Sequence, residues 1–103
     1  VKPLSSSLEL VGFITIPNGW RATRGLLSCV NTSGVNVSRT TQYQSVRTWG
    51  GTGFTTLQFG TTNSESTFGV TMNGAVDRVL MLKVYSTSTL DHFGGGYITI
   101  EKI

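Results

Sequence analysis

A 103-residue chain with 38% hydrophobic and only 13% charged residues is too apolar for a disordered polar tail and large enough for one modest core. Its net charge of +3 rests on Lys2, Arg21, Arg24, Arg39, Arg47, Arg78, Lys83 and Lys102, set against five acids. The cations never form a run, so they read as a solvated surface and not as a phosphate-tracking groove; no nucleic-acid partner is expected.

Ser and Thr together number 27, and Gly 13, while Ala, Glu and Lys are scarce. Good helix formers are nearly missing and β-branched residues abound, which points to an all-β domain. The single cysteine, Cys29, rules out an internal disulfide and reads as a small buried hydrophobe within Leu26-Leu27-Ser28-Cys29-Val30. A small domain without disulfides draws its stability from packing or from oligomerisation. No apolar run approaches a membrane span and no signal peptide is visible, so membrane insertion is not expected. The first residue is Val1, which suggests a processed product or a piece cut from something longer.

In chain order, residues 1–7 read as a linker from an upstream stalk, with Pro3 unable to join a ladder and Ser5 to Ser7 flexible. Residues 8–103 read as one domain. Leu8 to Ile16 is the first strand, with Leu8, Leu10, Ile14 and Ile16 on one face and Val11 and Phe13 on the other; Gly12 interrupts it. Pro17-Asn18-Gly19 is a turn. Gly25 to Val30 is a strand, and Trp20 to Arg24 is ambiguous. Asn31-Thr32-Ser33-Gly34 turns the chain again. Val35 to Trp49 alternates, with Val35, Val37, Arg39, Thr41, Tyr43, Ser45, Arg47 and Trp49 on a packing face and a polar, wet face opposite. Its length predicts a break near Thr40 to Gln42.

After a turn at Gly50 to Gly53, Phe54 to Phe59 is a short strand, with Leu57 and Phe59 sharing one side, and Gly60 to Ser66 a polar loop. Asn73-Gly74 between two apolar runs predicts a type I′ hairpin joining Phe68–Met72 to Ala75–Tyr85. In that register Val70 faces Asp77, a misfit that calls for a bulge or a cation beside Asp77. Val79 to Tyr85 is apolar on both faces except at Lys83, the pattern of a strand covered on two sides. Ser86 to Asp91 is a loop, His92 to Gly96 a turn, and Tyr97 to Ile103 a closing strand with Ile98 and Ile100 inward. The spacing suggests an antiparallel β-sandwich, jelly-roll-like, of seven or eight strands.

No chemical signature emerges. One His and one Cys far apart do not make a metal site. Asp91 is adjacent to His92, so in extended chain the two point opposite ways, and no nucleophile elbow is present. Nothing in the sequence pairs two of the five acids as a glycosidase requires. The Gly-rich stretches open no helix and carry no following Lys. The chain is therefore read as non-enzymatic and without cofactor. Asn31-Thr32-Ser33 and Asn36-Val37-Ser38 match the glycosylation pattern, which so Ser/Thr-rich a chain meets by chance.

Aromatic residues beside polar ones remain as candidate glycan contacts, since sugars stack on flat rings and bond through their hydroxyls. These are Trp20 and Trp49, each at a turn, and Tyr97 near His92 and Asp91. Tyr43 and Trp49 share the packing face with Val35 and Val37, so each reads more readily as core or interface than as a glycan contact. Arg39 and Arg47 on the packing face either snorkel or reach a neighbouring subunit's carboxylates. Together with Tyr43 and with Met81, Lys83 and Tyr85 of the doubly apolar strand, they form a candidate trimer interface.

The stalk-like lead-in, the Thr/Ser/Gly-rich disulfide-free composition and the end Gly94-Gly95-Gly96-Tyr97-Ile98-Thr99-Ile100-Glu101-Lys102-Ile103, which stops inside a strand, resemble the C-terminal tip domain of a bacteriophage tail fibre or tailspike. The resemblance covers the character of the whole chain, with that last stretch as its local support. It implies a homotrimeric β-sandwich at the virion tail that locks three chains together, binds a host surface polysaccharide or receptor, or does both. A monomeric carbohydrate-binding module or bacterial adhesin domain is the alternative, and a fragment of an enzyme a third possibility.

Overall fold

A computed structural model describes residues 8–46, 54–74 and 79–103. Seven strands run in order: β1 (Leu8–Thr15), β2 (Trp20–Val30), β3 (Thr40–Val46), β4 (Phe54–Thr61), β5 (Ser66–Asn73), β6 (Val79–Ser86) and β7 (His92–Lys102). They form two antiparallel sheets, one ordered β1-β6-β3-β4 and the other β5-β2-β7. This is the expected all-β sandwich. The stalk linker at 1–7, Arg47, Trp49, the Gly50 to Gly53 turn, and Asp77 with its proposed bulge lie outside the described residues.

The Asn73-Gly74 hairpin is corrected. β5 pairs with β2, with Asn73 opposite Arg21 and Met72 opposite Ala22, while β6 lies in the other sheet between β1 and β3. The chain therefore crosses between sheets after Gly74. Neither Asn73 nor Gly74 has positive φ, so no type I′ turn forms. Gly74 serves close approach instead: its N–H donates to the Trp20 carbonyl at 2.9 Å, and a Cβ would stand 2.2 Å from the Pro17 carbonyl oxygen. The Asn-Gly signal reports backbone permissiveness, and here tertiary contact used it differently.

Alternation decides most of the packing. Leu80 and Leu82 of β6 face Ile16, Ala22, Tyr43, Leu57, Phe68 and Met72 in the main core. Cys29, Val84 and Phe93 make a second cluster with Leu10, Leu27 and Val37 around them. Tyr43 is wholly buried, its ring tilted on Phe68 at 4.9 Å, and burial pushes its hydroxyl pKa up. It belongs to the core, and the interface reading of Tyr43 is withdrawn. Gly25 makes room for it, since a Cβ there would meet the Tyr43 ring at 2.6 Å.

Three further expectations change. The polar face of β3 is not wet: Gln42 and Val46 are buried, with Gln42 Nε2 donating to Thr56 Oγ1 at 3.0 Å. β3 is an interior strand flanked by β6 and β4, so both of its faces are crowded by neighbouring side chains. The expected break falls where β3 begins, at Thr40. In β4, Leu57 and Phe59 do not share a side; a bulge opposite Tyr43/Gln44 turns Leu57 into the core and leaves Phe59 58% exposed. Finally, His92 to Gly96 is strand, not turn, with a register shift between Ser28 and Cys29 absorbing the extra glycine.

Candidate functional site

The outer face of the three-stranded sheet carries a polar-aromatic platform. On β2 the inward residues Ala22, Gly25 and Leu27 alternate with outward Arg21, Arg24 and Leu26 around a bulge between Ala22 and Arg24. Leu26 lies opposite Tyr97 of β7, which is 46% exposed. The Tyr97 hydroxyl donates to Glu65 Oε2, and Glu65 immediately precedes β5. This bond joins the two outer strands across β2, a span of about two strand spacings near 4.8 Å each. The side chain therefore reaches from β7 toward the β5 side with nearly half of the residue exposed.

Arg24 Nη1 stands 3.6 Å from Glu65 Oε1, so the carboxylate is held from two sides. The hydrogen bond to Glu65 pushes the Tyr97 hydroxyl pKa up, which keeps it a donor through the neutral range. Thr67 and Thr99 flank Arg24 in register and add hydroxyls at the rim. A flat aromatic face bordered by a guanidinium, a carboxylate and hydroxyls can stack on a sugar ring and exchange hydrogen bonds with its hydroxyls.

Among the described residues, the other candidate glycan contacts, Trp20, His92 and Asp91, do not join it. Trp20 sits opposite Lys102 and His92 opposite Val30, at the two ends of β2 and about 33 Å apart along the strand. Trp20 is half-buried and packs on the main core. Asp91 is 1% exposed and fully engaged: Arg39 Nε donates to Oδ2 at 2.7 Å, Arg39 Nη2 to Oδ1 at 3.0 Å, and Ser86 Oγ to Oδ2 at 2.7 Å. Burial alone would raise the Asp91 carboxyl, but the bonds from Arg39 and Ser86 outweigh it and hold it below the ordinary carboxylate range.

Arg39 thus finds its carboxylate within its own chain, and its reach across a subunit boundary is corrected. Of the remaining candidate interface residues, Met81 is buried on the outer face of the four-stranded sheet, and Lys83 Nζ lies 3.5 Å from Glu9 Oε1. The Tyr85 hydroxyl donates to Gln42 Oε1 at 3.2 Å. Sequence reasoning missed Arg24 and Glu65. Their side chains meet Tyr97 only because β2, β5 and β7 are neighbours, and nothing in the local sequence announces that.

Among the described residues no three His, Cys, Asp or Glu side chains converge on a point, and no helix is long and apolar enough to cross a membrane. Comparison with family models, with curated proteins and with solved structures returned no match to this chain.

Proposed function

We propose that this domain is a non-enzymatic recognition and assembly module of a trimeric viral attachment protein, a tail fibre or tailspike, in which the Tyr97–Glu65–Arg24 platform contacts a host surface glycan or receptor. The observation that carries the recognition half is the Tyr97 ring, braced along the sheet by Glu65 yet nearly half exposed. Bracing removes rotamer entropy before a ligand arrives, so stacking energy is not spent on ordering the ring. The assembly half is supported by large apolar side chains left at the surface of a disulfide-free domain, among them Val11, Phe13, Ile14 and Ile100.

A panel of bacterial surface polysaccharides, screened by calorimetry or array binding, tests the recognition half. Tyr97→Ala is expected to lower affinity for a bound glycan at least tenfold while leaving the melting temperature within about 2 °C. Binding that survives Tyr97→Ala, Arg24→Ala and Glu65→Ala alike would remove the platform. A monomeric carbohydrate-binding module is the competing reading, favoured by the same platform, and the mass in solution separates the two.

A further inference from the structure

Two of the five asparagines, Asn18 and Asn73, are followed by glycine. Such a pair carries a latent reaction. The backbone nitrogen of the second residue can attack the side-chain amide carbon of the first, and glycine, with no Cβ, hinders the approach least. The five-membered ring closes within one chain, so local conformation sets the effective concentration of the nucleophile. Whether either pair reacts is decided by what holds the glycine nitrogen and what surrounds it.

The two pairs differ on both counts. Asn18 and Gly19 are exposed, in the turn between β1 and β2 that the Trp20 N–H closes on the Pro17 carbonyl at 3.2 Å. Gly19 stands at φ 89° and Asn18 does not have positive φ, the type II pattern. The Gly19 N–H meets no acceptor, and the Asn18 side chain no hydrogen-bond partner, among the described residues. A Cβ built on Gly19 would touch nothing within 4 Å, so a ring has room to form. Gly74, by contrast, is buried. Its N–H is spent on the Trp20 carbonyl at 2.9 Å, and a Cβ would stand 2.2 Å from the Pro17 carbonyl oxygen. Ring closure there must break a bond and displace backbone. Asn31, Asn36 and Asn63 precede residues that bear side chains, and three hydrogen bonds hold the Asn63 amide.

We infer that Asn18 is a site of spontaneous covalent modification, and that the fold confines the reaction to this one of its two Asn-Gly pairs. The Gly19 nitrogen gives its proton to base and bonds to Asn18 Cγ. The Cγ–Nδ2 bond breaks and ammonia leaves, which closes a cyclic imide. Water then opens the ring. Cleavage between the ring nitrogen and Cγ yields aspartate in the ordinary chain. Cleavage between the ring nitrogen and the main-chain carbonyl carbon yields isoaspartate, with the chain routed through the former side chain. The net exchange is water in and ammonia out, with no oxidant or reductant. Each event adds one carboxylate and lowers the net charge of +3 by one. Isoaspartate also lengthens the turn by one main-chain carbon, directly before the Gly19 carbonyl that accepts the Ile103 N–H at 2.8 Å and ties down the chain after β7. The chemistry is independent of what the domain binds.

The test incubates the folded domain in mildly alkaline buffer, with circular dichroism as the check on folding and a sample in urea alongside, and reads both by peptide mass spectrometry. The expected result in the folded sample is a gain of about 1 Da at position 18. It appears as two separable isomers, one of them a substrate for isoaspartate methylation, at a rate that rises with pH. Position 73 is expected to convert at least about tenfold more slowly until urea unfolds the chain, since its reaction waits on local opening. Asn18→Gln, which would need a six-membered ring, is expected to abolish the change in the folded sample. Position 18 intact in the folded domain while it converts in urea overturns the site. Equal conversion of positions 18 and 73 in the folded domain overturns the selection by the fold.

Discussion

Two residues carry more local structure than their neighbours. Asp91 receives three side-chain hydrogen bonds, and two of them tie it to Arg39, so loop 87–91 is pinned to the segment before β3. Its carboxyl is held below the ordinary range in the folded state. The stabilisation is therefore complete above the unfolded carboxyl pKa of about 4 and is lost as pH falls through the lower folded value. Asp91→Asn is expected to cost about 2 kcal/mol at pH 7, measured by urea unfolding. The gap from wild type should hold down to about pH 5 and shrink below pH 4. Asn63 stands at φ 66°, its Oδ1 accepts the Cys29 N–H at 2.9 Å, and its Nδ2 donates to the carbonyls of Cys29 and Val37. Asn63→Ala loses both the bonds and the tolerance of positive φ, at about 3 kcal/mol, whereas Asn63→Gly loses the bonds alone, at about 2 kcal/mol. Equal melting of the two variants would mean that backbone conformation contributes nothing there.

At the scale of elements, the crossover after β5 is the feature that most distinguishes this fold from a simple meander. It depends on Gly74 sliding under the Pro17 carbonyl while its N–H bonds Trp20. Gly74→Ala must push backbone against backbone, and a loss of about 2–3 kcal/mol in chemical denaturation is expected. Asn73→Ala relieves no forbidden φ, so its effect should be the smaller of the two. Gly74→Ala melting like wild type would mean that the β5-to-β6 connection takes another course.

For the whole molecule, the consequence of large apolar side chains left at the surface, among them Val11 and Ile14, is concentration dependence. If copies bury these side chains against one another, the melting temperature rises with protein concentration by mass action, by several degrees between 1 and 100 μM. Differential scanning calorimetry across that range reads it directly, and a flat profile would count against assembly.

Composition and alternation were sufficient for the all-β class, for the two-sheet sandwich and for most strand bounds, because burial of every second residue is a local property of an extended chain. The inward placement of Ile98 and the turns at Pro17 to Gly19 and Asn31 to Gly34 were legible for the same reason. Strand pairing was not. Whether β6 pairs with β5 or with β1 and β3 depends on contacts far apart in sequence, and a two-residue turn signal cannot outweigh them. The bulge that sends Leu57 inward and Phe59 outward, the capture of Arg39 by Asp91 and the meeting of Tyr97 with Glu65 and Arg24 all arise from that pairing. Tertiary structure alone decided which aromatic, Tyr97, is left nearly half exposed and which one, Tyr43, is sealed in the core, since both sit on strands of the same alternating kind.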